Sequence, residues 1–175
     1  MNRAAHIQFP TAEVPDGAWA ARFSTSCPRF GRMDGLSRLA LMAVESLGVE
    51  FENRDEVGVC LETRYGSLGA DRQFLRTLSP SVFSYTLPST AVGEICIRHK
   101  LRGPVLCLLT ESGDGRQALE HGQAWLMSGE ATSCLCLCAD ASGDHPAEAA
   151  ALYLRESVKV IGSLRELCIT LARPV

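Results

Sequence analysis

This sequence predicts an α/β fold, a single domain with a mostly parallel mixed sheet and covering helices, and three observations point to it. Apolar runs of strand length (Val57–Thr63, Val105–Leu109 and the CLCLC stretch before Asp140) alternate with segments whose apolar residues recur at helical spacing. Gly and Pro mark the boundaries, as at Gly48, Ser79-Pro80, Pro88 and Gly103-Pro104. Strand and helix in alternation are what a sheet of parallel strands with crossover helices requires. The 175 residues, 46% hydrophobic and 21% charged, supply enough apolar material for one core.

Residues 1–30 read as an irregular N-terminal segment with a possible strand at AHIQF, punctuated by Pro15, Gly17 and Pro28 and pinned to the body by Trp19 and Phe23. Asp34 caps a helix whose apolar face is Leu36, Leu39, Ala40, Ala43, Val44 and Leu47, and Gly48 stops it. After the strand Val57–Thr63, Gly66 and Gly69 open a loop, and a short helix is expected over about Asp71–Thr77. Pro88 sets the bend before a helix through Val92, Ile95, Cys96 and His99. Gly103-Pro104 turns the chain into the strand Val105–Leu109. Ser112, Gly113, Asp114 and Gly115 then bend it into a helix carrying Ala118, Leu119, Gly122, Trp125 and Leu126 on one face. A strand leading up to Asp140, a surface loop (ASGDHPAE) and two closing strands, Ala149–Glu156 and Glu166–Ala172 with a turn near Gly162-Ser163, complete the reading.

Composition narrows the function. A net charge of −3 and only two lysines, Lys100 and Lys159, leave no basic cluster to neutralise phosphates, so nucleic acid is not an expected partner. No apolar run reaches the length of a membrane span, and MNRAAHIQFP lacks the apolar core of a signal peptide, so residence in the cytoplasm is expected. The eight cysteines sit mostly inside apolar runs, where free thiols act as small hydrophobes. Cys134, Cys136 and Cys138, at period two, share one strand face without the two-residue gaps of zinc knuckles, so they read as core; no metal and no cofactor is expected.

Ser112 lies on a strand-to-helix bend, beside the unpaired N–H groups of a helix N-terminus, a place that suits either a nucleophile or a simple helix cap. The run LRGPVLCLLTESGDGRQALEHGQAWLM (Leu101–Met127) resembles the nucleophile segment of β-ketoacyl synthases of the thiolase superfamily: Gly103-Pro104 matches its Gly-Pro, and Thr110-Glu111-Ser112 falls on its Thr-Ala-Cys. GRMDGLSRLALMAVESLG resembles the first long helix of that family, VGVCLETRYGSL its Gly-Thr-x-x-Gly strand and loop, and SPSVFSYTLPSTAVGEICIRHKLRGP the segment leading to the nucleophile strand. SGEATSCLCLCAD and AALYLRE resemble the two strands closing its N-terminal half, so the likeness spans about residues 31–156.

The resemblance implies a thiolase-like half-fold over residues 31–175, with two departures. Ser112 stands where the acyl-carrying cysteine belongs, and the half that supplies the family's catalytic histidines has no counterpart; Glu62 also replaces a glycine of the loop motif. By the resemblance, Val105, Leu106, Cys107, Leu108 and Leu109 form the strand that pairs across the subunit axis. Phe83, Tyr85 and Leu87 lie by the acyl tunnel or the subunit contact, or else are ordinary core.

A serine nucleophile needs an adjacent base. His6 and His145 read as surface residues, His99 as a C-terminal helix residue whose charge suits the dipole, and His121 as roughly 13 Å along the helix from Ser112 at the helical rise. The polar residues Arg116, Gln117, Glu120, His121 and Gln123 suit a helix whose second covering layer is missing, so the sequence reads as adapted to being half a fold.

The expectation is a non-catalytic subunit of the chain-length-factor type, paired as a heterodimer with a full-length β-ketoacyl synthase in polyketide, polyene or fatty-acid biosynthesis. Two alternatives stand beside it: a small acyltransferase or hydrolase using Ser112, and a homodimeric scaffold that binds acyl carrier protein.

Overall fold

The computed structural model describes residues 2–9, 27–156 and 162–171. Trp19 and Phe23, expected to anchor the N-terminal segment, lie outside them. The elements are β1 (Arg3–Gln8), α1 (Gly35–Ser46), β2 (Val57–Thr63), α2 (Leu68–Thr77), α3 (Pro80–Phe83), α4 (Ser89–His99), β3 (Val105–Leu109), α5 (Arg116–Ser128), β4 (Ser133–Asp140), β5 (Glu148–Leu154) and α6 (Leu164–Leu171). One five-stranded sheet has the order β1-β5-β4-β2-β3. β2 pairs in parallel with both β3 and β4, whereas β5 pairs antiparallel with both β4 and β1. The expected α/β class is borne out, with parallel pairing confined to the half of the sheet that carries the strand-to-helix bend.

Both faces of the sheet are covered, which is why every residue of β2 and β4 is buried. α1 and α4 cover one face, where Leu39, Val44 and Ile95 pack on Val59, Leu61, Leu135, Leu137 and Tyr153. α5 and α6 cover the other, where Leu119, Leu164 and Cys168 meet Cys134, Cys136, Cys138, Leu152 and Leu154. The three alternate cysteines of β4 therefore do share one face, as the period-two spacing requires. A Cβ on Gly122 would lie 2.4 Å from Cys136 Sγ, so glycine there lets α5 sit directly on β4.

Two helix starts show how local chemistry fixes the elements. Asp34 Oδ1 accepts the Ser37 N–H at 3.0 Å and caps α1, as its sequence predicts. α6 overturns an expectation: Glu166–Ala172 was expected to be a strand, and the described part of that stretch belongs to a helix. The reason is a capping box, with Ser163 Oγ accepting the Glu166 N–H at 3.2 Å and Glu166 Oε2 accepting the Ser163 N–H at 3.1 Å. Leu164 and Cys168, one turn apart, point into the core while Ile169 and Leu171 stay exposed.

Candidate functional site

The strand-to-helix bend runs from Thr110 to Gly115, between the C-terminal end of β3 and the first turn of α5. Gly113 and Gly115 have φ of +58° and +81°. A Cβ on Gly113 would meet Arg64 Cβ at 2.7 Å and Asp140 Oδ2 at 2.9 Å, so the bend is pressed against the ends of β2 and β4. Ser112 is exposed, and among the described residues its hydrogen bond is to Asp114 Oδ1, at 3.3 Å. Asp114 Oδ1 also accepts the Arg116 N–H at 3.1 Å, so Asp114 is the local cap.

The rest of the α5 N-terminus is held from another strand. Glu62, fully buried at the end of β2, accepts the N–H groups of Gln117 at 2.9 Å and Ala118 at 3.2 Å through Oε2. Its Oε1 accepts the Thr110 hydroxyl at 2.6 Å, and Thr110 Oγ1 in turn accepts the Gly113 N–H at 3.0 Å. With Arg116 N–H on Asp114 and Leu119 N–H already in the helical ladder to Gly115 O, the first four donors of α5 are all taken by the chain itself. Sequence reasoning registered Glu62 only as a departure from a glycine. Its role depends on partners 48 to 56 positions away, which no local pattern reveals.

A second buried carboxylate braces the bend from below. Asp140 Oδ1 accepts the Thr63 hydroxyl at 2.9 Å and the Arg64 and Tyr65 N–H groups at 2.8 and 3.1 Å. Arg165 of α6 lies 3.6 Å from Asp140 Oδ2, donates to Gly113 O at 3.1 Å and reaches Glu148 Oε2 at 3.2 Å, and Glu148 Oε1 is 2.7 Å from His6 Nε2. Burial pushes the Asp140 carboxyl above its usual value, against the opposing pull of these hydrogen bonds and of Arg165.

The four histidines stand apart from Ser112. His6, expected at the surface, is half-buried in β1 against Glu148, because β1 is a full strand of the sheet. His99 is packed edge-on to Phe51, 3.4 Å from Glu45, and burial lowers its pKa, so the neutral ring is favoured over the charge expected to suit the helix end. His121 is exposed on α5, and His145 stacks on Tyr65 in the β4–β5 loop. Among the described residues none of them hydrogen-bonds the Ser112 hydroxyl; its partner is the Asp114 carboxylate, which also caps α5.

Among the described residues β3 is an edge strand, paired only with β2. Val105 and Leu109 are 57% and 64% exposed, and Leu106, Cys107 and Leu108 are half-buried. Beside it a groove of about 330 Å³ runs between α4 and β3, lined by Val92, Gly93, Cys96, Val105, Leu106 and Cys107. Phe83 and Leu87 are exposed nearby in the chain, at 60% and 64%. Tyr85 is buried, its hydroxyl donating to Glu94 Oε1 at 2.9 Å beside the Arg29 guanidinium, so it holds α4 and presents no surface.

Among the described residues no group of three or more His, Cys, Asp or Glu side chains is placed to hold a metal ion. No described helix is long and apolar enough to cross a membrane.

No protein-family model and no curated protein matches the chain. Solved structures do, and they show its fold: it is the thiolase-like fold seen in ketosynthases and chain length factors. The ishigamide ketosynthase/chain length factor shares 22% identity over 74% of this chain and 45% of its own, with a TM-score of 0.63. A chain of the ketosynthase (ApeO) in complex with its chain length factor (ApeC) from Xenorhabdus doucetiae shares 18% over 91% of this chain and 78% of its own, with a TM-score of 0.64. A β-ketoacyl synthase from Burkholderia phymatum STM815 shares 16%, covering 88% and 52%, with a TM-score of 0.58. The chain thus spans about half the length of the first and third, and most of the second. At these identities the likeness is one of fold.

Proposed function

We propose that the chain is a ketosynthase-like subunit of the chain-length-factor type, which pairs with a full β-ketoacyl synthase and performs no condensation of its own. The observation that carries the reading is the β3 edge: an apolar strand with Val105 and Leu109 open to solvent beside an apolar groove, at the margin of a sheet whose strands β2 and β4 are fully buried. Such an edge favours association. The partner's class is taken from the fold, since two of the structures it matches are described as a ketosynthase with a chain length factor.

The bend at Ser112 supports the non-condensing part of the reading. A condensing site requires a thiolate or an activated hydroxyl and free donors for an oxyanion. Here, among the described residues, no histidine bonds the hydroxyl, its partner Asp114 is itself engaged as the cap of α5, and the α5 donors face Glu62 and Asp114.

In this reading the pair works in the cytoplasm on chains delivered by an acyl carrier protein, in a polyketide, polyene or fatty-acid pathway. Ser112 stays unacylated, Val105–Leu109 meets the partner, and Phe83 and Leu87 shape the contact or the end of the acyl tunnel. Co-expression with a full-length ketosynthase, followed by purification through a tag on this chain and native mass spectrometry, tests it. A one-to-one complex whose product length changes on Phe83→Ala or Leu87→Ala is the expected result. A stable self-dimer that leaves the ketosynthase unbound would replace the reading with a homodimeric scaffold.

A further inference from the structure

We propose that Glu62 is the positioning residue that decides the chemistry of the bend: its carboxylate is a built-in anion on the N-terminus of α5, and it withholds from position 112 the field that would activate a nucleophile there. The inference deepens the non-condensing reading above and rests on it.

The argument begins with the donors. A helix N-terminus carries partial positive charge on its first N–H groups, and a thiol or oxyanion placed there is stabilised as the anion. In this chain that charge is already matched. Glu62 is fully buried, its Oε2 faces two α5 N–H groups, and its Oε1 takes the Thr110 hydroxyl that itself fixes the Gly113 N–H. The bend and the helix start therefore converge on one carboxylate, with position 112 between Thr110 and Gly113.

Other charges facing the bend come from several elements. Asp114 and Glu111 belong to the bend itself, Arg116 to α5, and Asp140 to the end of β4. Arg165 reaches in from α6 to the Gly113 carbonyl, and the start of the Arg64 side chain lies against Gly113. Arg165 is matched by Asp140 and Glu148. Glu62 alone spends its charge on the α5 N–H groups beyond the first.

Ser112→Cys turns the claim into a measurement, because a thiol reports the local field through the pH dependence of its alkylation. Iodoacetamide labelling at position 112, read by peptide mass spectrometry across pH, should show a midpoint at or above that of an ordinary thiol in the single variant. Adding Glu62→Gln should lower the midpoint and raise the rate at pH 7 about tenfold, the effect of roughly one unit in thiol pKa. Asp114→Asn, which removes the carboxylate that accepts the Ser112 hydroxyl, measures that direct contact separately and should lower the midpoint further when combined with Glu62→Gln.

A midpoint already well below the ordinary value in the single variant would overturn the proposal, and that arm needs no change at Glu62 should Glu62→Gln fail to fold. An unchanged profile in the folded variant carrying both Ser112→Cys and Glu62→Gln would overturn it as well. Running the ketosynthase co-purification on the same variants separates the two readings. Pairing without the shift removes only the role of Glu62; the shift without pairing removes only the partner-subunit function.

Discussion

Glu62 Oε2 lies 2.9 Å from the backbone nitrogen of Gln117, so the end of the interior strand β2 caps the helix that follows the neighbouring strand β3. A cap supplied across the sheet ties two parallel strands and a crossover helix into one unit, beyond what the ladder between the strands provides.

That tie should be costly to remove. Glu62→Ala leaves the Gln117 and Ala118 N–H groups and the Thr110 hydroxyl without their acceptor, Ala118 being buried. Urea unfolding should show a loss of about 3 kcal/mol, the usual range for a broken buried network. Glu62→Gln, which keeps an acceptor oxygen, should lose clearly less.

The edge strand predicts association. Val105→Lys together with Leu109→Lys places charge at two positions that are more than half exposed, so the fold should hold while self-association or ketosynthase pairing is lost. Sedimentation velocity against the unaltered chain reads the outcome, and an unchanged oligomer would move the interface elsewhere.

The thiols predict an alkaline limit. Burial pushes Cys60, Cys134, Cys138 and Cys168 up to about 12, and Cys96 and Cys107 up to about 11, from an ordinary 9.0. A folded pKa above the unfolded one means that the stabilisation is fully present below pH 9 and is lost as pH rises through 11 to 12. Unfolding midpoints should therefore fall steeply between pH 9 and 11. At pH 7.5 a disulfide reagent such as Ellman's should label the native thiols slowly and all eight cysteines quickly in denaturant.

Close packing of α5 on β4 predicts a further sensitivity. Gly122→Ala would bring its new methyl to 2.4 Å from Cys136 Sγ, and α5 must lift to admit it. A loss of about 1–3 kcal/mol in thermal or urea unfolding is expected. Pairing it with Cys136→Ala, which removes the sulfur, should recover part of that loss.

Most of the fold was legible because its signals are local. Asp34 before a helical apolar face, Gly103-Pro104 before Val105–Leu109 and the alternate cysteines of β4 each specify their element within a few residues. The misread element, α6, carried its own signal: Ser163 and Glu166 stand at capping-box spacing, and the apolar, β-branched content of ELCITLA outweighed it in the reading. The site was legible at Ser112 and Asp114, which are neighbours, and illegible at Glu62, Asp140 and Arg165. Their meeting depends on the ends of β2, β4 and α6 converging under the bend, which only the completed sheet brings about.

The sheet order also dictates when that can happen. Among the described residues β1 pairs with β5 alone, in a register that sets Arg3 opposite Tyr153 and His6 opposite Ala150, so the first described strand waits for the last. Closing a loop of such length is slow for entropic reasons, and until it closes β5 presents a free margin on its outer side. Folding on the ribosome should thus assemble β2, β3 and β4 with their helices first and dock β1 last. A nascent chain halted before residue 148 would leave β4, fully buried in the finished fold, as an open margin opposite β3, which makes prompt completion, or a partner already waiting at β3, the safeguard against misassembly.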